Sequence, residues 1–356
     1  MTEGNLSSEN KSYLDYAIDH GASDIHINVG VPVCLRVDGK LFTIPNAPEV
    51  TVAKAKELIK GLASEELLES LKQKKEIDFS FGYKEMRFRV NVYYQMGNES
   101  ASLRLIPSKI RGIKELGLPP ILEQFTGQSQ GFVIITGPTG SGKSTTLAAL
   151  IDEINTNKRC HIITIEDPIE YVFEHKKSIV SQRELGQDTN TFSRALRSSL
   201  REDPDVVLVG EMRDLETIDA ALTLAETGHL VFTTLHTNSS AQTADRIVSV
   251  FPPHQQQQIR SQLASVLLGV VSQRLIPRAK GGRVLAAEIM VVNSAIRNLI
   301  RDNKIYQIPN IIQTSASEGM ISLDKVLAEL VSRGEISLED ALTWSLDPKS
   351  LKMMVY

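Results

Sequence analysis

The sequence predicts an α/β protein in which a parallel sheet follows a smaller α+β domain. Four short apolar runs in the later part of the chain are continuous rather than alternating, which is typical of strands covered on both faces of a parallel sheet. Helical patterns lie between them, the clearest at Thr217–Glu226. The four runs are Phe132–Thr136, His161–Ile165, Val206–Val209 and Leu230–Leu235. This strand–helix–strand order predicts crossover helices that join parallel strands.

The first part of the chain combines short helices with half-buried strands. Apolar residues over Leu14–Ile18 predict an amphipathic helix that ends near Gly21. Ile25–Val29 alternates between apolar and polar residues, as a half-buried strand does. Val33–Phe42 is typical of a hairpin, with Asp38–Gly39 as its two-residue turn. Further helices and strands are expected around Glu57–Ile59, Leu67–Leu71, Arg87–Tyr94 and Ser102–Ile106.

Turn-forming residues separate these two regions. Glycine and proline recur between them, for example at Gly117–Pro120. We therefore predict an N-terminal domain over residues 1–109, a linker over 110–130 and a second domain over 131–356. A later run at Val284–Val292 is expected to extend the sheet at one edge, and the rest of the second domain is expected to be helical.

Composition and charge narrow the function classes. The chain has 356 residues, of which 42% are hydrophobic and 23% charged, and its net charge is −4. This balance is ordinary for a soluble globular protein and argues against a general nucleic-acid binder. Cys34 and Cys160 form no C-x-x-C pair, which excludes a cysteine zinc site and a disulfide framework. The first residues lack a secretory signal, so we expect a cytosolic protein.

One octapeptide predicts the chemistry of the second domain. Gly137–Ser144 matches the phosphate-binding loop pattern G-x-x-x-x-G-K-[ST], and it lies between a predicted strand and a predicted helix. Its backbone amides and the helix N-terminus would surround the phosphates of ATP. Lys143 should reach the β- and γ-phosphates, and Ser144 should hold Mg²⁺ through its hydroxyl. The predicted nucleotide ligands are Gly137, Pro138, Thr139, Gly140, Ser141, Gly142, Lys143, Ser144 and Thr145.

Two carboxylates follow strands that lead to this loop. Glu166 ends the predicted strand at His161–Ile165, and Glu211 follows a strand that resembles a Walker B strand. In that strand Gly210 replaces the usual terminal aspartate. The carboxyl ends of parallel strands face the ligand crevice, so both glutamates are expected near the phosphates. ATP hydrolysis requires such carboxylates to orient water and to assist Mg²⁺.

Histidines and arginines add further candidates. His229 and His236 bracket one predicted strand and are not spaced as metal ligands, but a histidine beside a phosphate loop can sense the γ-phosphate. On predicted strands of the N-terminal domain lie Arg87, Arg89 and Arg104. They could deliver positive charge to a phosphate from outside the second domain, although surface salt bridges explain them equally well.

Together these segments resemble the secretion-superfamily ATPases, and most closely the PilT-type ATPases that retract type IV pili. The resemblance covers nearly the whole chain. It rests on the phosphate-binding loop and on the segments Gly21–His26, Arg36–Lys40, Glu115–Pro120, Glu166–Glu170, Gly210–Asp214, Thr227–Asn238 and Ala295–Arg301. The last of these is similar to a segment typical of the retraction branch. Residues 311–356 depart most from the family pattern, and the resemblance gives them no role.

The resemblance implies a ring-shaped homo-hexamer whose subunits combine a PAS-like N-terminal domain with a RecA-like ATPase domain. ATP would bind with Mg²⁺ between the two domains, and their relative rotation would remove pilin from the pilus base and so drive twitching motility. The implied partners are an inner-membrane pilus platform protein and the pilin machinery, with no nucleic acid. The protein would then be cytoplasmic and peripheral at the inner membrane.

The same resemblance implies a role for each candidate residue. Glu211 would be the general base, and Glu166 would assist Mg²⁺ or the attacking water. His229 and His236 would couple the nucleotide state to motion. Contacts to the γ-phosphate would come from the N-terminal arginines, Arg87, Arg89 and Arg104.

Four alternatives are weighed against retraction. The assembly or secretion branch of the superfamily typically carries a four-cysteine zinc module, and only Cys160 follows the linker here. An accessory retraction paralogue shares most of the motifs and stays open. A RecA-like nucleic-acid translocase would need a basic groove with aromatic residues, whereas aromatic residues make up 5% of this chain. A non-hydrolysing scaffold is disfavoured by the presence of Lys143, Ser144, Glu166 and Glu211.

Overall fold

The computed structural model describes residues 6–37, 39–84, 86–107 and 109–355. The chain divides into two compact units. The first comprises Met1–Lys109 together with Pro168–Val172, and the second comprises Ile110–Asp167 together with Phe173–Tyr356. Residues 110–130, which the sequence suggests as a linker, therefore belong to the second unit.

The first unit contains an antiparallel sheet with the strand order β3-β2-β1-β6-β5-β4. Its described elements are α1 (Ser8–Asp19), β1 (Asp24–Ile27), β2 (Cys34–Val37), β3 (Lys40–Thr43), α2 (Val52–Leu62), α3 (Glu65–Lys74), β4 (Glu76–Tyr83), β5 (Met86–Gln95) and β6 (Asn98–Pro107). The sequence did not predict β4, although its side chains alternate in burial. Of the predicted hairpin turn, Asp38 lies outside the described residues, and β2 and β3 pair on either side of it.

Local sequence explains where these helices begin. The hydroxyls of Ser7, Thr51 and Ser64 accept hydrogen bonds from backbone amides in the first turns of α1, α2 and α3. Such caps satisfy amides that have no partner inside the helix. The apolar faces of the helices and of the sheet then form one core, in which Phe79 and Phe88 are fully buried.

The second unit is built on a sheet with the strand order β13-β12-β7-β11-β10-β8-β9, parallel except for the pair β12–β13. The strands are β7 (Gly131–Thr136), β8 (His161–Glu166), β9 (Ile179–Glu184), β10 (Val206–Val209), β11 (Leu230–Leu235), β12 (Leu267–Pro277) and β13 (Arg283–Val291). All side chains of β7, β10 and β11 are buried, as their continuous apolar runs predict.

Helices accompany this sheet. They are α4 (Ile121–Gly127), α5 (Lys143–Asn157), α6 (Phe192–Ser199), α7 (Leu215–Glu226), α8 (Ser240–Ser249), α9 (Gln256–Val266), α10 (Ser294–Arg301), α11 (Ile308–Thr314), α12 (Leu323–Ser332), α13 (Leu338–Trp344) and α14 (Pro348–Val355). Apolar residues of α12, α13 and α14 form a separate core cluster with Ile276 of β12 and Ala286 of β13. The C-terminal helices therefore belong to the packing of the second unit.

The expectation that the rest of the second unit is helical was wrong for β9 and β12. β12 pairs in parallel with β7, but its pairing is irregular between Leu267 and Gly269. A side chain at Gly269 would overlap the ring of Phe125. Polar residues also occupy buried positions near its end, among them Gln273 and Arg274. Because polar and apolar residues are mixed along β12, its sequence shows neither the alternating nor the continuous apolar pattern by which strands are predicted.

Candidate functional site

The P-loop (Gly137–Thr145) connects the carboxyl end of β7 to the N-terminus of α5. Gly137, Gly140 and Gly142 have φ angles of +142°, +77° and +89°, which favour glycine. A Cβ at Gly137 would also overlap the backbone carbonyl oxygen of Gln273 on β12. The glycines thus give the loop both its curvature and its close fit against the neighbouring strand.

Polar groups of the P-loop fit a bound polyphosphate. Lys143 is 9% exposed, and its ammonium donates to the carbonyl oxygens of Gly137 and Pro138 at 2.9 and 3.0 Å. The Ser141 hydroxyl is buried and has no hydrogen-bond partner in the described part of the chain. Ser144, in the first turn of α5, is exposed. A buried hydroxyl, a lysine and a helix N-terminus are the groups that an anion site in a protein commonly uses.

A cavity of about 630 Å³ adjoins the P-loop within the second unit. It is lined by Gly142 and Thr145 on the P-loop side and by Arg111 and Leu118 on the side of the predicted linker. Its volume falls in the range of small-molecule sites. The cavity is therefore large enough for the part of a nucleotide that extends beyond its phosphates.

Glu211 lies just beyond the end of β10, on the edge of the sheet that carries the P-loop. β10 pairs in parallel with β11, which pairs in parallel with β7, so the carboxyl ends of all three strands meet at this edge. One Glu211 oxygen accepts from Arg213 at 2.6 Å, and the other lies 3.6 Å from His236 Nε2. The Glu211 side chain is 15% exposed. The carboxylate is thus held between a guanidinium and an imidazole.

Gly210, which stands where a Walker B strand usually ends in aspartate, lies close to the end of β8. Its amide donates to the Ile165 carbonyl at 2.8 Å, and a Cβ at this position would lie 3.4 Å from the Glu166 Cα. A side chain at this position would pack tightly against the end of β8. Glu166 itself accepts from the Thr164 hydroxyl at 2.7 Å and from the Gln182 amide at 3.2 Å. Its carboxylate orientation therefore depends on β9, which the sequence did not predict.

The two histidines lie at opposite ends of β11. His236 follows its carboxyl end, beside Glu211, whereas His229 precedes its amino end and bonds through Nδ1 to the Leu224 carbonyl at 2.9 Å. A strand of this length separates them by roughly 20 Å. His229 does not join the P-loop and Glu211 within one chain, and its coupling role stays a prediction.

The environment of His236 favours a neutral imidazole. Burial lowers the pKa of His236, the nearby Lys143 charge lowers it further, and Glu211 opposes the shift. A neutral ring can accept or donate a hydrogen bond without placing a second positive charge beside Lys143. His236 is therefore suited to report on negative charge that arrives at the P-loop.

The three N-terminal arginines share one face of the first unit's sheet. Arg87 and Arg89 are two residues apart on β5, and Arg104 pairs directly with Arg89 across β6. Arg104 forms an ion pair with Asp24 at 2.9 Å. Arg87 donates to the Ser80 hydroxyl and to the Ile169 carbonyl, each at 2.6 Å. Arg89 has no side-chain hydrogen bond or ion pair with any residue that the structure describes.

Comparison with known proteins identifies the family. The model of the family described as "Type II/IV secretion system protein" matches residues 3–281. The chain belongs to this family. It is 50% identical over 329 residues to the type IV pilus retractation ATPase PilT of Pseudomonas aeruginosa. The matched region spans 92% of this chain and 95% of that protein. It is 48% identical over 309 residues to the twitching motility protein of Neisseria gonorrhoeae, covering 86% and 82%.

Comparison with a solved structure shows the fold. The crystal structure of the pilus retraction motor PilT with bound ADP matches with a TM-score of 0.90 and 49% identity, over 96% of this chain and 98% of that one. The predicted α/β class, the ATPase class and the resemblance to pilus retraction ATPases are confirmed. Family membership also supports nucleotide binding by this secretion ATPase.

The described helices of this secretion ATPase contain no segment that is both long and apolar enough to cross a membrane. The described residues also contain no group of three or more His, Cys, Asp or Glu side chains that could hold a metal ion.

We predict that His236 titrates below the ordinary histidine value of about 6.5. Lys143→Met should raise its pKa because a neighbouring positive charge is removed, and Glu211→Gln should lower it further because the opposing carboxylate is lost. NMR titration of the ring protons of His236 measures all three. A midpoint at or above 6.5 in the unaltered chain, or shifts of the opposite sign, would contradict the geometry of this edge.

Proposed function

We propose that this secretion ATPase is a motor that hydrolyses ATP to power type IV pilus retraction. The observation that carries the proposal is the shared edge of the parallel sheet, where the P-loop, Glu211 and His236 lie together. Sequence identity to a retraction ATPase over nearly the whole chain supports the direction of work.

The P-loop residues bind the nucleotide in this proposal. Backbone amides between Gly137 and Ser144 and the N-terminus of α5 surround the β- and γ-phosphates. Lys143 moves its ammonium from the loop carbonyls to phosphate oxygens, and Thr145 contacts the α-phosphate. The cavity beside Thr145 takes the nucleoside, because it opens at the residue where the phosphate chain ends.

Hydrolysis uses Glu211 as the general base. Its carboxylate accepts a proton from water while the water oxygen forms a bond to the γ-phosphorus, and the bond from that phosphorus to the bridging oxygen breaks to release ADP and phosphate. Arg213 and His236 orient the carboxylate. Glu166 orients the water or the metal ligands. Mg²⁺, held by Ser144, would neutralise charge on the phosphates.

Assembly and partners extend the proposal beyond one chain. We propose a homo-hexamer that acts in the cytoplasm on the pilus machinery at an inner-membrane platform protein. Support comes from the resemblance to retraction ATPases. In a ring, the N-terminal arginines of a neighbouring subunit would supply positive charge to the γ-phosphate. Of Arg87, Arg89 and Arg104, Arg89 is the most available because the other two already have partners.

Glu211→Gln tests the role of Glu211 as general base, and Lys143→Ala tests the role of the P-loop lysine in nucleotide binding. Glu211→Gln should lower kcat by about 100-fold or more and leave the Kd for nucleotide nearly unchanged, because it removes a proton acceptor without altering the P-loop. Lys143→Ala should weaken nucleotide binding itself. Phosphate release and fluorescent-nucleotide titration measure the two effects, with Asp219→Asn on α7 as a surface control. Unchanged turnover in Glu211→Gln would refute the assignment of the base.

Arg89→Ala tests the charge from the first unit. If Arg89 stabilises the transferring phosphoryl group, kcat should fall by about tenfold or more while the nucleotide Kd changes little. Arg36→Ala serves as a control, since Arg36 lies on β2 and donates to the Gly39 carbonyl in the same unit. Equal turnover in Arg89→Ala and Arg36→Ala would remove Arg89 from the mechanism.

The direction of work is tested in cells. A strain that lacks this chain should carry many surface pili and show no twitching, because assembly continues while retraction stops. Electron microscopy of pili and a motility assay provide the two readings. A strain without pili would support the assembly branch, and a piliated strain that still twitches would support an accessory role.

A further inference from the structure

Two buried charges on β12 and β13 have no role in the mechanism described so far. Arg274 is 4% exposed and Glu288 is 6% exposed. They are diagonal neighbours across the strand pair, because Glu288 lies opposite Ser272 and Arg274 lies opposite Ala286. Each side chain binds other groups rather than its oppositely charged neighbour. They therefore differ from an ordinary buried ion pair.

Both charges contact the backbone of one loop, Thr237–Ser240, which joins β11 to α8. A guanidinium nitrogen of Arg274 donates to the Asn238 carbonyl at 2.6 Å, and the Ser272 hydroxyl donates to the same oxygen at 3.2 Å. Glu288 accepts from the Ser240 amide at 2.7 Å, at the first residue of α8. One charge thus holds a carbonyl of the loop, and the other holds an amide.

Packing alone does not account for these residues. Burying separated charges costs several kcal/mol per ion in typical proteins, and apolar residues of similar volume are often more stable. Burial lowers the pKa of Arg274 and raises the pKa of Glu288, which reflects this cost. The two side chains instead satisfy backbone groups of this loop, the Asn238 carbonyl and the Ser240 amide.

This loop connects directly to both halves of the candidate site, which are the P-loop and the contact between His236 and Glu211. His236, which faces Glu211, immediately precedes it. Thr237 donates its amide to the Thr136 hydroxyl at 2.9 Å, and the two hydroxyls lie 2.6 Å apart. Thr136 is the residue just before the P-loop. A displacement of the Thr237–Ser240 loop would therefore move His236 relative to the P-loop.

The opposite face of β12 contacts the P-loop itself. Gln273 lies between Ser272 and Arg274, so its side chain points to the other face of the strand. It is fully buried and donates to the Ser141 carbonyl at 2.8 Å. Its side-chain amide oxygen, Oε1, has no hydrogen-bond partner in the described part of the chain. Consecutive residues of one strand thus hold the P-loop and the loop after His236.

We propose that β12 positions both halves of the hydrolytic site. Arg274, together with Glu288 of β13, is a positioning residue that holds His236 against Glu211 for the chemical step. Gln273 is a positioning residue that keeps the P-loop in its phosphate-binding shape. The inference rests on the proposed ATPase function, and it assigns separate effects to two adjacent residues.

The test compares Arg274→Met with Gln273→Leu in the full chain, using ATP with Mg²⁺. Arg274→Met should lower kcat by about tenfold or more and change the nucleotide Kd less than about threefold, because misplacement of one orienting group slows chemistry rather than binding. Gln273→Leu should instead weaken nucleotide binding by about fivefold or more. Arg274→Met should also shift the pKa of His236 in the NMR titration, which a purely structural residue would not do.

Conservative variants separate positioning from folding. Arg274→Lys keeps one donor for Asn238 and Glu288→Gln keeps an acceptor for Ser240, so both should retain more activity than Arg274→Met and Glu288→Leu. Arg260→Met on α9 is the control for loss of a partly buried arginine. If Arg274→Met does not fold, the Lys and Gln variants still decide the matter through kcat and the His236 pKa.

The outcomes are distinguishable from failure of the proposed function. If the unaltered chain does not hydrolyse ATP, the proposed function fails first. If it does, the inference is overturned by a folded Arg274→Met with kcat within about threefold of the unaltered chain. It is also overturned if Arg274→Met and Gln273→Leu affect kcat and nucleotide Kd alike, or if kcat falls only in proportion to a lowered Tm.

Discussion

The candidate site depends on the parallel pairing of β7, β11 and β10. Their register places Thr136 opposite Leu235 and Val209 opposite Thr233, so that the P-loop, His236 and Glu211 all leave the sheet at the same edge. These parallel strands tolerate little slippage, because a shift of one residue would move every side chain to the other face of the sheet and disrupt its packing. The relative positions of the P-loop, His236 and Glu211 therefore depend on the register in which the apolar strands of the sheet pair.

Much of this arrangement could be predicted from the sequence. Continuous apolar runs identify the parallel strands, and the loop pattern identifies the phosphate cradle with its lysine. The position of Glu211 follows from the end of its strand. The separation of His229 from His236 could also be predicted, because a residue that precedes a strand and one that follows it lie at opposite edges of the sheet. Local periodicity and motif spacing suffice for these features because each depends on neighbouring residues.

Features that depend on contacts between distant residues could not be predicted in this way. β12 combines an irregular pairing at Gly269 with buried polar residues, and no local pattern distinguishes it from a helix or a loop. The sequence shows that Gly210 replaces an aspartate, but only the structure shows that the end of β8 approaches it. The contact of Gln273 with Ser141 joins residues 132 positions apart. Such contacts become visible only when the sheet order is known.

The most direct test of the central claim is ATP turnover by the purified, unaltered chain in the presence of Mg²⁺. The account predicts that the protein binds ATP and releases phosphate at a rate that saturates with ATP concentration. A folded protein that neither retains ATP nor releases phosphate would contradict it.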